Sequence, residues 1–142
     1  SAEINKGAFL NEKKIKPTSC STLSESLIVT GFPYLHNTKY DISFEIFKEF
    51  YDITRGVRRL GSASLDLCFV AMGRFEGYYE FELKPWDICA GALIAIEAGA
   101  RVTDWDNQEM PETGSRILAS NGNLHNKMVS ILNKKKYRKI FR

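Results

Sequence analysis

Trp86-Asp87-Ile88-Cys89-Ala90-Gly91-Ala92-Leu93-Ile94-Ala95-Ile96-Glu97-Ala98-Gly99 is the stretch on which the reading of this chain turns. Just before it, Tyr78 to Leu83 alternates aromatic and acidic residues as a strand does, and Pro85 stops that run. A helix is expected from Asp87 to about Ala98, with Gly99 beyond its end. The helix is apolar on nearly every side, which predicts burial between layers. Glu97 is the exception, and a carboxylate in such surroundings must be paired or hydrogen-bonded, with backbone groups or with a cation such as Arg101. A structural anchor is the preferred reading of Glu97.

Working outward, Ser26 to Phe32 is a short β-branched run ended by Gly31 and Pro33, suited to a buried strand. Ile42, Ile46, Phe47, Phe50 and Ile53 recur at helical spacing, with Asp41 as the expected N-cap and Gly56 past the end. Val57 to Leu60 reads as a strand. Gly61-Ser62-Ala63 opens a second helix that Gly73 closes. Arg101 to Trp105 and Arg116 to Ala119 read as two late strands, separated by the turn-rich Asp106 to Ser115. A last amphipathic helix carries Leu124, Met128, Ile131 and Leu132. The expected fold class is α/β, a layered mixed sheet with covering helices; two strands with no helix between them argue against a purely parallel sheet.

The 142 residues are 44% hydrophobic and 26% charged, which reads as a globular chain, with no repeat or linker to divide it. Every apolar run is interrupted by charge well short of the ~20 residues a bilayer requires, so no membrane association is expected. Cys20, Cys68 and Cys89 show no Cys-x-x-Cys spacing, and a reducing cytoplasm is the simplest home. Cys68 and Cys89 fall in apolar helical patterns and read as small core residues. The net charge of +3 resides in the last nine residues, where Lys134, Lys135, Lys136, Arg138, Lys139 and Arg142 stand. Without them 14 basic face 17 acidic side chains, so a folded nucleic-acid face is not indicated. The organisation is therefore a folded portion, residues 1–133, and a basic tail, 134–142, of the solvated kind.

For chemistry, a carboxylate at a helix mouth after a strand and a proline turn lies where ligands collect in α/β folds. Asp87 has the hard oxygen donors that magnesium prefers, although spacing alone favours an ordinary N-cap. Glu80 and Glu82, two apart on a strand, would share a face as a sugar-hydroxyl contact or as an exposed edge pair, with the two readings about even. Gly61-Ser62-Ala63 offers helix-start N–H groups and a hydroxyl, against the commoner reading of Ser62 as a plain N-cap. His36 and His125 read as turn or surface residues without a role.

The quoted stretch resembles the second signature of the inositol monophosphatase family, a Trp-Asp-x-Ala-Ala/Gly-Gly helix followed by Glu-Ala-Gly. Segments Lys6 to Asn11, Val29 to Tyr34 and Arg59 to Cys68 also look like the family, in family order. The resemblance implies that Asp87 is a metal ligand holding Mg2+ near a phosphate ester and that Glu80 hydrogen-bonds inositol hydroxyls. It implies further that Gly61, Ser62 and Ala63 line the sugar side of the site, with Tyr34 on another loop near substrate. Ala100 stands where the family often has a second glycine. The first family signature, Asp-Pro-x-Asp-Gly-Thr, is absent, and no Asp-Pro pair occurs in the chain.

The resemblance therefore implies the carboxyl-terminal half of an inositol monophosphatase-like fold, with most metal ligands outside it and the chain alone inactive. The expected parent activity is magnesium-dependent hydrolysis of a sugar or polyol phosphate, inositol 1-phosphate first. The alternatives are fructose 1,6-bisphosphate or 3′-phosphoadenosine 5′-phosphate, for which Arg58 or Arg59 would meet a second phosphate. An alternative of another class is a protein or RNA interaction module through Lys134 to Arg142. Expected partners are a small phosphate ester and either a second copy or a partner supplying the amino-terminal half.

Overall fold

In the computed structural model, residues 1–110 and 116–139 are described. The first three strands, β1 (Ala2–Glu3), β2 (Gly7–Leu10) and β3 (Lys13–Lys14), form a small antiparallel sheet. The main sheet follows from β4 (Leu27–Thr30), β5 (Gly56–Arg58), β6 (Gly77–Phe81), β7 (Arg101–Thr103) and β8 (Arg116–Ser120), in the order β5-β4-β6-β8-β7. β4 is parallel to β5 and β6, whereas β8 is antiparallel to β6 and β7. The mixed sheet read from the two late strands is thus present. Asp106 to Met110 is an irregular turn segment, and the rest of the expected turn-rich stretch, 111–115, lies outside the described residues.

Period-two alternation splits the core into two layers. Ile28, Tyr79 and Leu118 face α1 (Thr38–Ile53) and α4 (His125–Leu132), joining Ile46, Phe50, Trp105 and Met128. Their neighbours Val29, Tyr78 and Ile117 face α2 (Ala63–Ala71) and α3 (Pro85–Ala98), joining Leu67, Val70, Ile88 and Ala95. The result is helix, sheet, helix.

α1 starts earlier than its apolar period suggests. Asn37 is the N-cap, its Oδ1 accepting from the N–H of Lys39 and of Tyr40, so Asp41 falls inside the first turn. α3 likewise begins at Pro85, the favoured first helical position, and Asp87 lies two residues inside it. Only Ile88, Gly91, Ala92 and Ala95 of α3 are buried, against α2; Cys89, Ala90, Ile96 (52% exposed) and Trp86 (78%) face out. The expectation of a helix buried on all sides is corrected for the described residues. Cys89 is accordingly exposed and Cys68 half-buried, so Cys89 is no core residue; both are free thiols, as is Cys20.

Glu97 is an anchor, with different partners from Arg101. Its carboxylate accepts from the N–H of Asn5 at 2.8 Å and of Gly7 at 2.9 Å, tying the small sheet to α3. Those bonds hold its carboxyl below the usual range. Arg101 instead donates to Asn107. His125 is also corrected: it is fully buried, bonded to Thr103 and Ser120, and burial lowers its pKa to about 4, which keeps it neutral. His36 is exposed and stacks on Tyr40.

Through Lys139 the basic run is docked. α5 (Lys135–Arg138) carries a buried Tyr137 that donates to Glu49 of α1, and Lys134 and Lys136 pair with the same carboxylate. Residues 140–142 lie outside the described residues. Among the described residues no helix is long and apolar enough to cross a membrane.

Candidate active site

β4 and β6 are adjacent and parallel, so their carboxyl ends open at one edge of the sheet, where the amino-terminal ends of α2 and α3 also arrive. A cleft of about 260 Å³ lies there. Its walls include Gly31 and Tyr34 after β4, Arg59, Gly61, Ser62 and Ala63 between β5 and α2, and Glu80, Trp86 and Asp87 around the end of β6. All six residues singled out from the sequence, Tyr34, Gly61, Ser62, Ala63, Glu80 and Asp87, line this one cleft. Glu82 does not join it.

Local geometry explains each placement. Asp87 is fixed by its helix, its Oδ2 accepting from the Lys84 N–H at 2.9 Å while its own N–H donates to the Lys84 carbonyl. The capping bond thus occupies one carboxylate oxygen. Ser62 is the N-cap of α2 but makes no side-chain capping bond, leaving its hydroxyl available to the cleft. Tyr34 is 92% exposed. Glu82 sits past the strand end at φ 61° and pairs with Lys39, and this turn separates it from the face that Glu80 occupies. The proposed shared face of the two glutamates is therefore corrected.

Glu80 is held tightly. Tyr78, fully buried, donates its hydroxyl to Glu80 Oε2 at 2.7 Å, and the carboxyl group lies so close over Gly31 that an added Cβ would stand 2.1–2.3 Å from it. Burial pushes the Glu80 pKa up to about 7, against the pull of the Tyr78 bond and Arg59 and with help from the Asp87 charge. Arg58 turns its guanidinium back to the Val57 carbonyl and is not part of the cleft wall.

Two residues of the site carry no functional signal in the sequence, Gly31 in the cleft wall and Tyr78 behind Glu80. Tyr78 reads as an ordinary strand aromatic, and only its spacing of two from Glu80 signals a shared face. Gly31 reads as a strand terminator. Asp66, on the buried face of α2, is a lone acid among apolar neighbours, but it does not line the cleft.

A hard divalent cation fits Asp87 as one oxygen donor. It does not fit these residues as a complete site, since among the described residues no three His, Cys, Asp or Glu side chains gather as a ligand set. Further donors have to come from elsewhere.

The family model for the inositol monophosphatase family matches residues 1–137. A chloroplastic phosphatase of Arabidopsis thaliana, IMPL1, is 44% identical over 129 residues, covering 91% of this chain and 35% of that protein. A putative Nus factor SuhB of Neisseria meningitidis serogroup B is 45% identical over 131 residues, 92% of this chain and 50% of its own. The solved structure of inositol monophosphatase from Anabaena (Nostoc) sp. superposes with a TM-score of 0.85 at 40% identity, covering 91% of this chain and 51% of that one. The chain thus spans about a third to a half of the curated relatives it matches.

Proposed function

This chain belongs to the inositol monophosphatase family, and we propose that its cleft is the alcohol-binding side of a metal-dependent phosphomonoesterase site for a sugar or polyol phosphate, inositol 1-phosphate first. The observation that carries the reading is the convergence of Glu80, Ser62, Ala63, Tyr34 and Asp87 on one cleft at the carboxyl ends of parallel strands.

In this reading Asp87 holds part of a magnesium ion's coordination shell. When bound, the ion supplies polarisation of the phosphate, a lowered pKa for an attacking water and stabilisation of the departing alkoxide. Glu80, oriented by Tyr78, accepts hydrogen bonds from the alcohol's hydroxyls. The Ser62 hydroxyl and the first-turn N–H groups of α2 fix the opposite side of the alcohol, and Arg59 supplies positive charge near the anion. The name of the Anabaena neighbour supports inositol monophosphate over other esters. One arginine in the cleft wall, with Arg58 turned away, favours a monophosphate over fructose 1,6-bisphosphate or a nucleotide bisphosphate.

An interaction module on the basic run has less support, because Lys134, Lys136 and Arg138 are already paired with Glu49, Glu45 and Asp106. The free cysteines support a reducing, cytoplasmic setting. Metal donors from outside these residues are required, so the purified chain alone is expected to show no turnover. The test is a backbone amide NMR titration with inositol 1-phosphate and Mg2+. Shifts at Ser62, Ala63, Glu80 and Asp87 that E80Q weakens are expected; shifts elsewhere, or none, overturn the reading.

A further inference from the structure

We infer that Tyr78 is a positioning residue that acts through Glu80 and makes the cleft prefer a hydroxylated ring to a plain one. Its hydroxyl takes one carboxylate oxygen and leaves the other, Oε1, to a ligand. Tyr78 does not itself line the cleft. It is fully buried, in the apolar layer that holds Val29, Leu67 and Ile88. A hydroxyl in such a layer is costly unless it is hydrogen-bonded, and its partner is Glu80 Oε2 at 2.7 Å.

The strand register sets up this arrangement. β4 and β6 pair Val29 with Tyr78 and Thr30 with Tyr79, so the next step along both strands brings Gly31 beside Glu80. The Thr30 hydroxyl donates to the Tyr79 carbonyl at 2.7 Å and pins that seam one residue before the cleft. A Cβ on Gly31 would stand 2.1 Å from Glu80 Oε1, 2.2 Å from Cδ and 2.3 Å from Oε2. The carboxyl group therefore rests on the glycine by its face and not by one tip. Tyr78 and Glu80 are two apart on β6, so their side chains leave the same face of the strand. Gly31 backs the carboxyl plane, and the Tyr78 bond stops the group from turning within that plane. Among the described residues no donor is bonded to Oε1.

The chemical consequence is an acceptor whose position is settled before a ligand arrives. A carboxylate free to turn must be ordered on binding, whereas one held on two sides is not, and the cost of association falls accordingly. A ring hydroxyl brought to Oε1 is bound without rearrangement. A ring with no hydroxyl strips water from Oε1 and returns no hydrogen bond, which is the basis of the preference.

What Oε1 contacts rests on the proposed reading of the cleft; how it is held does not. Without ligand, NMR of the chain labelled at Tyr and Glu should show a slowly exchanging Tyr78 hydroxyl proton with a nuclear Overhauser contact to the Glu80 methylenes. Y78F, which keeps the ring, should raise the ps–ns mobility of those methylenes. A hydroxyl proton averaged with water, or methylenes unmoved by Y78F, overturns the proposal. The hydroxyl signal is read on the wild-type chain, so it decides even if Y78F does not fold.

With ligand, inositol 1-phosphate is compared with cyclohexyl phosphate, the same ring without hydroxyls, each in Mg2+. Y78F should weaken inositol 1-phosphate about tenfold and leave cyclohexyl phosphate unchanged. In an E80A background the same substitution should cost nothing more. Equal losses for the two esters, or the same loss without Glu80, mark a merely structural tyrosine and overturn the proposal. A wild-type chain with no preference for inositol 1-phosphate overturns the preference together with the cleft reading, and the ligand-free spectra show separately whether Tyr78 holds Glu80.

Discussion

A methyl group at Gly31 would meet the Glu80 carboxyl atoms at 2.1–2.3 Å, so this position has to be glycine if Glu80 is to keep its place. Gly31→Ala is expected to displace Glu80 from Tyr78 while leaving the fold intact, and to weaken polyol phosphate binding about tenfold, about 1.4 kcal/mol. Titration calorimetry or NMR measures the loss, and wild-type affinity in a folded variant counts against the assigned role of Glu80. At this scale the sequence exposed acids and turns but not their orientation. Glu80 was recognisable as an acid on a strand, whereas its separation from Glu82 depends on a left-handed backbone angle that a glutamate rarely takes. Asp87 and His125 differ in the same way. A cap residue and a helix residue two positions on look alike in one dimension, and a histidine bonded by Thr103 and Ser120 is buried by partners distant in the chain.

α2 and α3 pack through Gly91, where a Cβ would stand 2.9 Å from the Leu67 Cβ and 3.0 Å from the Ser64 carbonyl oxygen. Both contacts involve atoms that cannot swing away, so Gly91→Ala is expected to cost about 1–3 kcal/mol in denaturant unfolding. An unchanged midpoint would show that the helices have slack. The docking of α5 on α1 has a pH signature. Hydrogen bonds from Lys134, Lys136 and Tyr137 outweigh the opposing effect of burial and lower the Glu49 pKa to about 2 from an ordinary 4.5. A depressed acid adds stability that is complete above its unfolded pKa and is lost as pH falls toward the folded one. Wild-type and E49Q should therefore differ in melting temperature at pH 6 and converge between about pH 4.5 and 2; a constant difference refutes the latch. Periodicity revealed the existence and order of the main elements. It missed where α1 begins because Asn37 caps a turn with no apolar residue of its own, and it missed α5, whose composition reads as solvated charge.

For the whole molecule, the mixed sheet between two helical layers followed from the alternation of apolar runs, and the family resemblance was carried by the α3 stretch. What lies against the outer face of α2 and α3 was not legible, since an apolar helix reads the same whether its second face meets protein or water. Leu65, Trp86 and Ile96 are exposed there, and Tyr34, Leu35, Phe44 and Tyr51 are exposed on the β4–α1 segment. Exposed apolar residues on this scale favour association, so sedimentation is expected to show concentration-dependent self-association, and a monomer at every concentration would exclude it. The most direct measurement of the central claim is paramagnetic broadening of the chain's amide signals by Mn2+ in the presence of inositol 1-phosphate. The account predicts broadening centred on Asp87 and reaching Glu80 and Ala63, abolished in D87N. Broadening centred on another acidic segment such as Asp104 to Asp106, or indifferent to D87N, would contradict it.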